Sequence, residues 1–406
     1  MEVFGDCKTD EDVKRMHQEI TELIAEKGVE FISDLIEKKS DKWKDEIIQI
    51  GIFGESGSGK STFVNTLRGL KRGDEGFADQ GYIGNTTKTA TKYTVKDNPN
   101  IIFTDGVGCG TIQYKRGSEY LKSLEIEKFD FVLLMSNRNF SQDDAWFAKE
   151  IRNMGKPLFF VRTKFDEILR SAKADGIPGE NIHKQILTTC AENIKDSGIP
   201  STSIFIISNY DTSLGDIDPL MVAILKTLSL KKREALLHSI QPLSHQVIRE
   251  KKEELIQRVN LISLLSVVSP VLYLPGFEND FDLSVLDSEI QFYLKEFSLT
   301  EDKIERTCIR LKIDYDELLC KLPRVRNLLK IQGIKGAIKE SLQIEFDEET
   351  TKFIAMQVLK ILPVIGTVIS SSYWYIACLK MLKNEIDLLE KDAHKLLDEA
   401  LEKLKI

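Results

Sequence analysis

Lys60 and Ser61 put an ammonium and a hydroxyl side by side at the end of Gly54-Glu55-Ser56-Gly57-Ser58-Gly59-Lys60-Ser61, with Thr62 next in the chain. This spacing is that of a glycine-rich phosphate cradle, GxxxxGK followed by Ser or Thr. Gly54, Gly57 and Gly59 admit backbone angles closed to other residues, so the N–H groups of the loop from Gly54 to Thr62 turn inward on an anion. Lys60 then supplies a mobile cation for the β- and γ-phosphates. The Ser61 hydroxyl is placed to ligate Mg²⁺, a hard ion that prefers oxygen.

Three more short patterns extend this chemistry. Asp105 and Gly108 belong to Asp105-Gly106-Val107-Gly108, a DxxG in which the carboxylate holds Mg²⁺ through a water and the Gly108 N–H senses the γ-phosphate. Thr163-Lys164-Phe165-Asp166 is a TKxD. An ionised aspartate only accepts hydrogen bonds. Asp166 therefore pairs twice with the N1–H and N2 amino group of guanine and opposes the N1 lone pair of adenine. Ser208-Asn209 is positioned to pack the base and to offer backbone N–H to the guanine O6. Together these patterns imply GTP and GDP as ligands, with Ser61 and Asp105 as the metal pair.

A switch segment is expected between the first helix and Asp105. Its candidates to close over the metal are Thr86, Thr87, Thr89, Thr91 and Thr94, with Thr89 and Thr91 preferred by position. A threonine-rich edge strand is the alternative for any one of them.

These residues need particular elements to hold them. Ile47, Ile48, Ile50, Ile52 and Phe53 form a β-branched run that stops at Gly54, and Phe63, Val64 and Leu67 give a helical stripe beyond Lys60. The helix start adds the positive end of its dipole to the phosphate position. Further strands are expected at Tyr93–Lys96, Ile101–Asp105, Phe129–Met135, Pro157–Thr163 and Ser203–Ser208. Helices are expected between them at Gly117–Glu125, Gln142–Met154, Asn181–Ile194 and Asp218–Leu228. Alternation of this kind implies an α/β domain with a mainly parallel sheet covered by helices on both faces, and ligands at the carboxyl ends of its strands.

The chain has 406 residues, beyond the usual single-domain size. Three regions are expected: an N-terminal helical segment over 1–45, the phosphate-loop domain over 46–229, and a helical domain over 230–406 on which the first segment packs. Expected helices in the last region are 231–259, 288–298, 301–311, 314–321, 334–343, 346–360 and 383–405. Residues 361–379 carry no charge between Lys360 and Lys380. Buried core, a membrane-surface element and a true span all stay open for them; Pro363, Gly366 and Ser370-Ser371-Ser372 weigh towards core.

A 42% hydrophobic and 30% charged composition supports a large core and excludes general disorder, and a net charge of −8 argues against broad nucleic-acid binding. The six cysteines show no CxxC or metal-type spacing and suit a reducing compartment, the cytosol. Glu2 is incompatible with the N-myristoylation pattern.

The run GESGSGKSTFVNTLRGL, the TKxD inside FVRTKFD, Ser208-Asn209 after a Phe-Ile strand and the helical remainder resemble the interferon-inducible immunity-related GTPases. The likeness extends to QFYLKEFSLTEDKIERTCIRLKIDYDEL and to LPVIG through YWYIACLKML. It implies a large P-loop GTPase that needs Mg²⁺, binds GTP and GDP, and assembles with itself in the GTP form. It also implies slow hydrolysis that quickens on assembly, action at intracellular membranes such as pathogen vacuoles, and related GTPases as partners. The GKS loop looks like that of the effector branch, since the regulatory branch has Met at the lysine position. Val107 stands where the family has proline, Cys109 follows Gly108, no glutamine adjoins the DxxG glycine, and no arginine is evidently poised in cis. A nucleotide-locked regulator or scaffold with little hydrolysis is therefore the alternative reading.

Asp166→Asn replaces an acceptor-only carboxylate by an amide and is expected to move preference from guanine towards xanthine nucleotides. Competition of GTP and XTP against fluorescent GDP measures this, and an unchanged GTP affinity would remove Asp166 from base selection.

Overall fold

A computed structural model describes residues 41–79, 90–106, 117–199, 203–271, 284–342 and 368–404. The first apolar run forms β1 (Ile48–Phe53), and the helix after Gly59 is α1 (Lys60–Arg68). The chain continues through β2 (Thr91–Val95), β3 (Asn98–Asp105), α2 (Ser118–Leu124), β4 (Phe131–Ser136), α3 (Gln142–Asn153) and β5 (Leu158–Arg162). It then runs through α4 (Phe165–Ala174), α5 (Gly179–Asp196), β6 (Ser203–Ile206), α6 (Ile217–Thr227) and α7 (Leu230–Ser239).

The strands lie in the order β2-β3-β1-β4-β5-β6. All neighbours are parallel except β2 and β3, which pair antiparallel with Thr91 opposite Asp105. From β1 the chain goes first to one side of the sheet and then to the other, so strand order reverses at β1. In open α/β sheets such a reversal places the ligand crevice beyond the carboxyl end of that strand.

Burial follows from the sequence of these strands. β1, β4 and β5 are buried almost throughout, as parallel strands covered on both faces must be. On one face Phe53, Val132, Leu134 and Phe160 pack with Phe147 and Ile151 of α3 and with Cys190 and Ile194 of α5. Phe53 meets Phe129 and Phe147 at ring distances of 5.7 and 5.1 Å. Side chains of opposite parity, among them Ile50, Ile52, Leu133 and Val161, are buried on the other face. By contrast β2 is an edge strand, and its exposed Thr91 and Lys92 suit that place.

Strand positions agree with the sequence reading to within a few residues; several helices need correction, among them the following. α4, which begins inside the TKxD at Phe165, is not among the expected helices. Phe165, Ile168, Leu169 and Ala172 give it a helical stripe, but one confined to ten residues. The helix expected over 231–259 is interrupted after Ser239, because Pro242 cannot donate and the Gln241 N–H is spent on Leu67 O at 3.0 Å. It resumes as α8 (His245–Val271). The terminal helix expected from 383 starts earlier, at Val368.

The chain divides at Val247/Ile248 rather than at 229/230. α7 stays with the sheet because Ala235, Leu236 and Leu237 are buried, Asn98 Nδ2 donates to Ser239 Oγ at 3.1 Å, and Lys232 donates to Asp130 at 2.6 Å. The N-terminal helices and the 346–360 helix lie outside the described residues.

The helical unit contains most of α8, then α9 (Ser284–Glu296), α10 (Glu301–Leu311), α11 (Tyr315–Lys321) and α12 (Pro323–Arg326). A π-turn over Asn327–Ile331, α13 (Gly333–Leu342) and α14 (Val368–Leu404) as far as Asp398 come next. Charges are buried in pairs here. Lys251 donates to Glu296 at 2.7 Å with side chains only 1% and 3% exposed. Arg258 grips Glu289 through Nε at 2.8 Å and a terminal nitrogen at 2.9 Å. Arg324 of α12 pairs with Glu385 of α14, and Asp392, two turns further along α14, accepts the backbone N–H groups of Arg324 and Val325, both at 2.9 Å. That carboxylate caps a helix start from a different helix.

Of the uncharged run 361–379, the part from Val368 is the start of α14, and Ala377 and Cys378 are buried. No helix among the described residues is long and apolar enough to cross a membrane. Cys190, Cys308, Cys320 and Cys378 are free thiols; Cys7 and Cys109 lie outside the described residues.

Lys251→Met removes the ammonium that pairs with the buried Glu296 carboxylate and is expected to cost about 3–5 kcal/mol in urea unfolding. The double variant Lys251→Met/Glu296→Leu should recover most of that loss.

Candidate functional site

Four segments meet at the carboxyl edge of the sheet. The first is the loop between β1 and α1. Gly54 takes φ 145°, and a Cβ there would lie 1.9 Å from the Met135 carbonyl oxygen of β4. Gly59 takes φ 89° as the N-cap of α1, and a Cβ there would press on Asn209 Nδ2 at 2.9 Å. Glycine is needed at both places, once for close backbone approach and once for the left-handed cap.

Lys60 is 6% exposed. Its Nζ donates to the carbonyls of Gly54 at 2.9 Å and Glu55 at 3.0 Å and lies 4.0 Å from Asp105 Oδ1. Burial pulls its ammonium below the usual lysine range, and Asp105 partly restores it. Asp105, at the end of β3, is 1% exposed. Burial raises its carboxyl above the usual range, against the pull of Lys60 and of the Ser61 hydroxyl, which donates to Oδ2 at 2.6 Å. Its Oδ1 is buried without a hydrogen-bond partner. A hydroxyl and a carboxylate with an unspent oxygen form a hard donor set, which fits Mg²⁺.

The TKxD and the Ser208-Asn209 segment are tied to the phosphate loop by side chains. Thr163, fully buried at the end of β5, donates from Oγ1 to Ser58 O at 2.7 Å. Asn209 donates from Nδ2 to Gly59 O at 3.0 Å, and its own carbonyl accepts from Thr66 Oγ1 at 3.0 Å. Ser208 Oγ accepts the N–H groups of Tyr210 and Asp211, which turns the loop. Lys164 is the N-cap of α4 in a left-handed conformation, φ 60°, and this turn sets Asp166 in the first turn of α4, partly exposed.

The structure thus brings together Gly54, Gly57, Gly59, Lys60, Ser61, Asp105, Thr163, Asp166 and Asn209, with Glu55, Ser56, Ser58 and Thr62 as parts of the same loop and helix start. Thr91 opens β2 opposite Asp105 with an exposed side chain, as a member of an edge strand. Thr89 and Gly108, with Val107, lie outside the described residues. Sequence reasoning missed Arg138, which stands on the phosphate loop as the ion-pair partner of Glu55. The signal is its place: Ser136-Asn137-Arg138 is the carboxyl end of β4, and in a parallel sheet every such end borders the ligand crevice.

Comparison with known proteins agrees with this geometry. The family model described as Interferon-inducible GTPase (IIGP) matches residues 9–399. Interferon-inducible GTPase 1 of Mus musculus is 30% identical over 322 residues, covering 77% of this chain and 77% of that protein. T-cell-specific guanine nucleotide triphosphate-binding protein 2 of Mus musculus is 31% identical over 297 residues, 72% of this chain and 71% of its own length. Interferon-inducible GTPase 5 of Rattus norvegicus is 27% identical over 369 residues, 87% and 76% respectively.

Gly54→Ala drives a methyl group into the Met135 carbonyl and is expected to weaken fluorescent GDP binding by about two orders of magnitude, ~2.7 kcal/mol, with the circular dichroism of the fold retained.

Proposed function

The chain belongs to the interferon-inducible GTPase family, and from that premise we propose that it binds GTP and GDP in the crevice beyond β1, β3, β5 and β6 and hydrolyses GTP there. The observation that carries this reading is the pair of bonds from Thr163 to Ser58 O and from Asn209 to Gly59 O. They join base-reading segments to a phosphate loop, an arrangement that suits a ligand with a purine at one end and phosphates at the other.

In this reading Lys60, held over the loop by the carbonyls of Gly54 and Glu55, meets the β- and γ-phosphate oxygens. Loop N–H groups and the α1 dipole share the remaining negative charge. Ser61 and Asp105 would hold Mg²⁺, which supplies charge neutralisation on the phosphates. Asp166 accepts from guanine N1–H and the N2 amino group, Lys164 and Ser208 line the base, and Asn209 fixes the distance between the base and the phosphate loop. Water attacks the γ-phosphorus, the bond to the bridging oxygen breaks, and GDP and inorganic phosphate leave.

The finer reading is a self-assembling enzyme of cell-autonomous immunity. Its turnover is slow alone and faster when a second copy meets it through the nucleotide domain, and it associates reversibly from the cytoplasm with intracellular membrane surfaces. The resemblance of the whole chain supports this.

Phosphate release per molecule, measured over a protein concentration series, is expected to rise several-fold as the chain assembles. Turnover that stays negligible at high concentration would replace this reading by that of a nucleotide-locked regulator.

A further inference from the structure

Behind the base-reading edge lies a contact that the chemistry above does not use. His183, on α5, directs Nε2 at both oxygens of Asp216, 3.0 Å from each. Carboxylate oxygens only accept, so Nε2 carries a proton and donates. Asp216 in turn closes the base of the loop that holds Ser208 and Asn209. Its Oδ2 accepts from Ile206 N at 2.9 Å, its N–H donates to Ile206 O at 2.6 Å, and Ile207 bridges Gly215 beside it.

The same imidazole meets a second segment. The Phe165 ring stands edge-on to it with centroids 5.6 Å apart. Phe165 is 4% exposed, immediately precedes Asp166, and donates its N–H to Ile207 O at 3.1 Å. Gly215 takes φ 80°, and a Cβ there would come within 3.3 Å of that ring and 2.2 Å of Ile206 O. One histidine therefore touches, from behind, the residue next to the guanine-selecting carboxylate and the latch of the loop that contains Ser208 and Asn209.

Resting on the guanine-nucleotide reading above, we propose that His183 is a positioning residue for base selection: its contacts with Asp216 and Phe165 hold the TKxD turn and the 207–216 loop at one fixed separation. The bonds that tie these segments to the phosphate loop, Thr163 to Ser58 O and Asn209 to Gly59 O, are made by other side chains than His183 and Asp216. Loss of the brace then falls on recognition of the base edge. Two-point pairing of Asp166 with guanine is sensitive to small displacements, because both oxygens must meet donors at once.

Inosine nucleotides keep N1–H and O6 but lack the N2 amino group, so they separate this effect from general loosening. The test compares GDP and IDP affinity, each by competition against a fluorescent nucleotide with magnesium. His183→Ala is expected to lower the GDP to IDP affinity ratio about tenfold, with IDP affinity nearly unchanged. His183→Gln, whose side-chain amide can donate to Asp216, should restore most of the ratio. His183→Leu, which refills the space without a donor, should behave like the alanine variant and serves if that variant does not fold. An unchanged ratio in both Ala and Leu variants, or an equal loss for both nucleotides, overturns the brace. Failure of the unsubstituted protein to prefer GDP over IDP overturns the guanine reading itself.

Discussion

Two hydrogen bonds, the buried Thr163 Oγ1 to Ser58 O and the part-buried Asn209 Nδ2 to Gly59 O, set the geometry of the nucleotide crevice. Each is worth only about 1 kcal/mol net in stability. Their weight is geometric. The Ser58 carbonyl accepts from Thr163, and the Gly59 carbonyl, which also accepts the Phe63 N–H of α1, accepts from Asn209, so donors from the two segments that would read a base close on the phosphate loop. Drawing the phosphate end away from the base end therefore breaks both bonds and takes the donor from the carbonyl of the fully buried Ser58. Sheet order supports this: β5 and β6 run parallel to β1 on the same side of the reversal, so their carboxyl ends arrive beside the loop that β1 feeds.

Charge is handled differently in the two units. Beside the phosphate loop, Lys60 and Asp105 are buried 4.0 Å apart, with burial moving each towards its neutral form and the other resisting it. Lys60 spends its ammonium on the Gly54 and Glu55 carbonyls, while Asp105 Oδ1 has no hydrogen-bond partner, as suits a group that must accept a metal. In the helical unit Lys251, Arg258 and Arg324 are closely matched by Glu296, Glu289 and Glu385. Pairs of this kind stabilise little compared with apolar packing, but they penalise any arrangement that separates them.

Most of the sheet was legible in the sequence because its strands are long apolar runs punctuated by glycine or a chemical motif, as at Ile48–Phe53 and Ile101–Asp105. The site was legible for a related reason: backbone-led recognition fixes residue types and spacings, and GxxxxGKS and TKxD are such spacings. α4 was missed because its ten residues begin inside the motif itself, where Lys164 and Asp166 draw attention to loop chemistry. The break at Pro242 was missed because the flanking helices share a period, and the Gln241 to Leu67 bond that fixes the turn is long-range. The domain division at 247 depends on long-range bonds, such as Lys232 to Asp130, that no local pattern encodes. Arg138 and His183 escaped for the same reason: an ion pair and an aromatic edge contact are properties of distance.

The spacing of Glu385 and Asp392 along α14 has a mechanical consequence. Seven residues make two turns, so both acids lie on one side of the helix and hold the same short α12 at two points. A single fastening leaves a pivot; two along one line remove it. Axial sliding or torsion of α14 past α12 must rupture both fastenings together and leave two carboxylates stranded, so α14 can transmit a push along its length with little give, as a strut does rather than a spring.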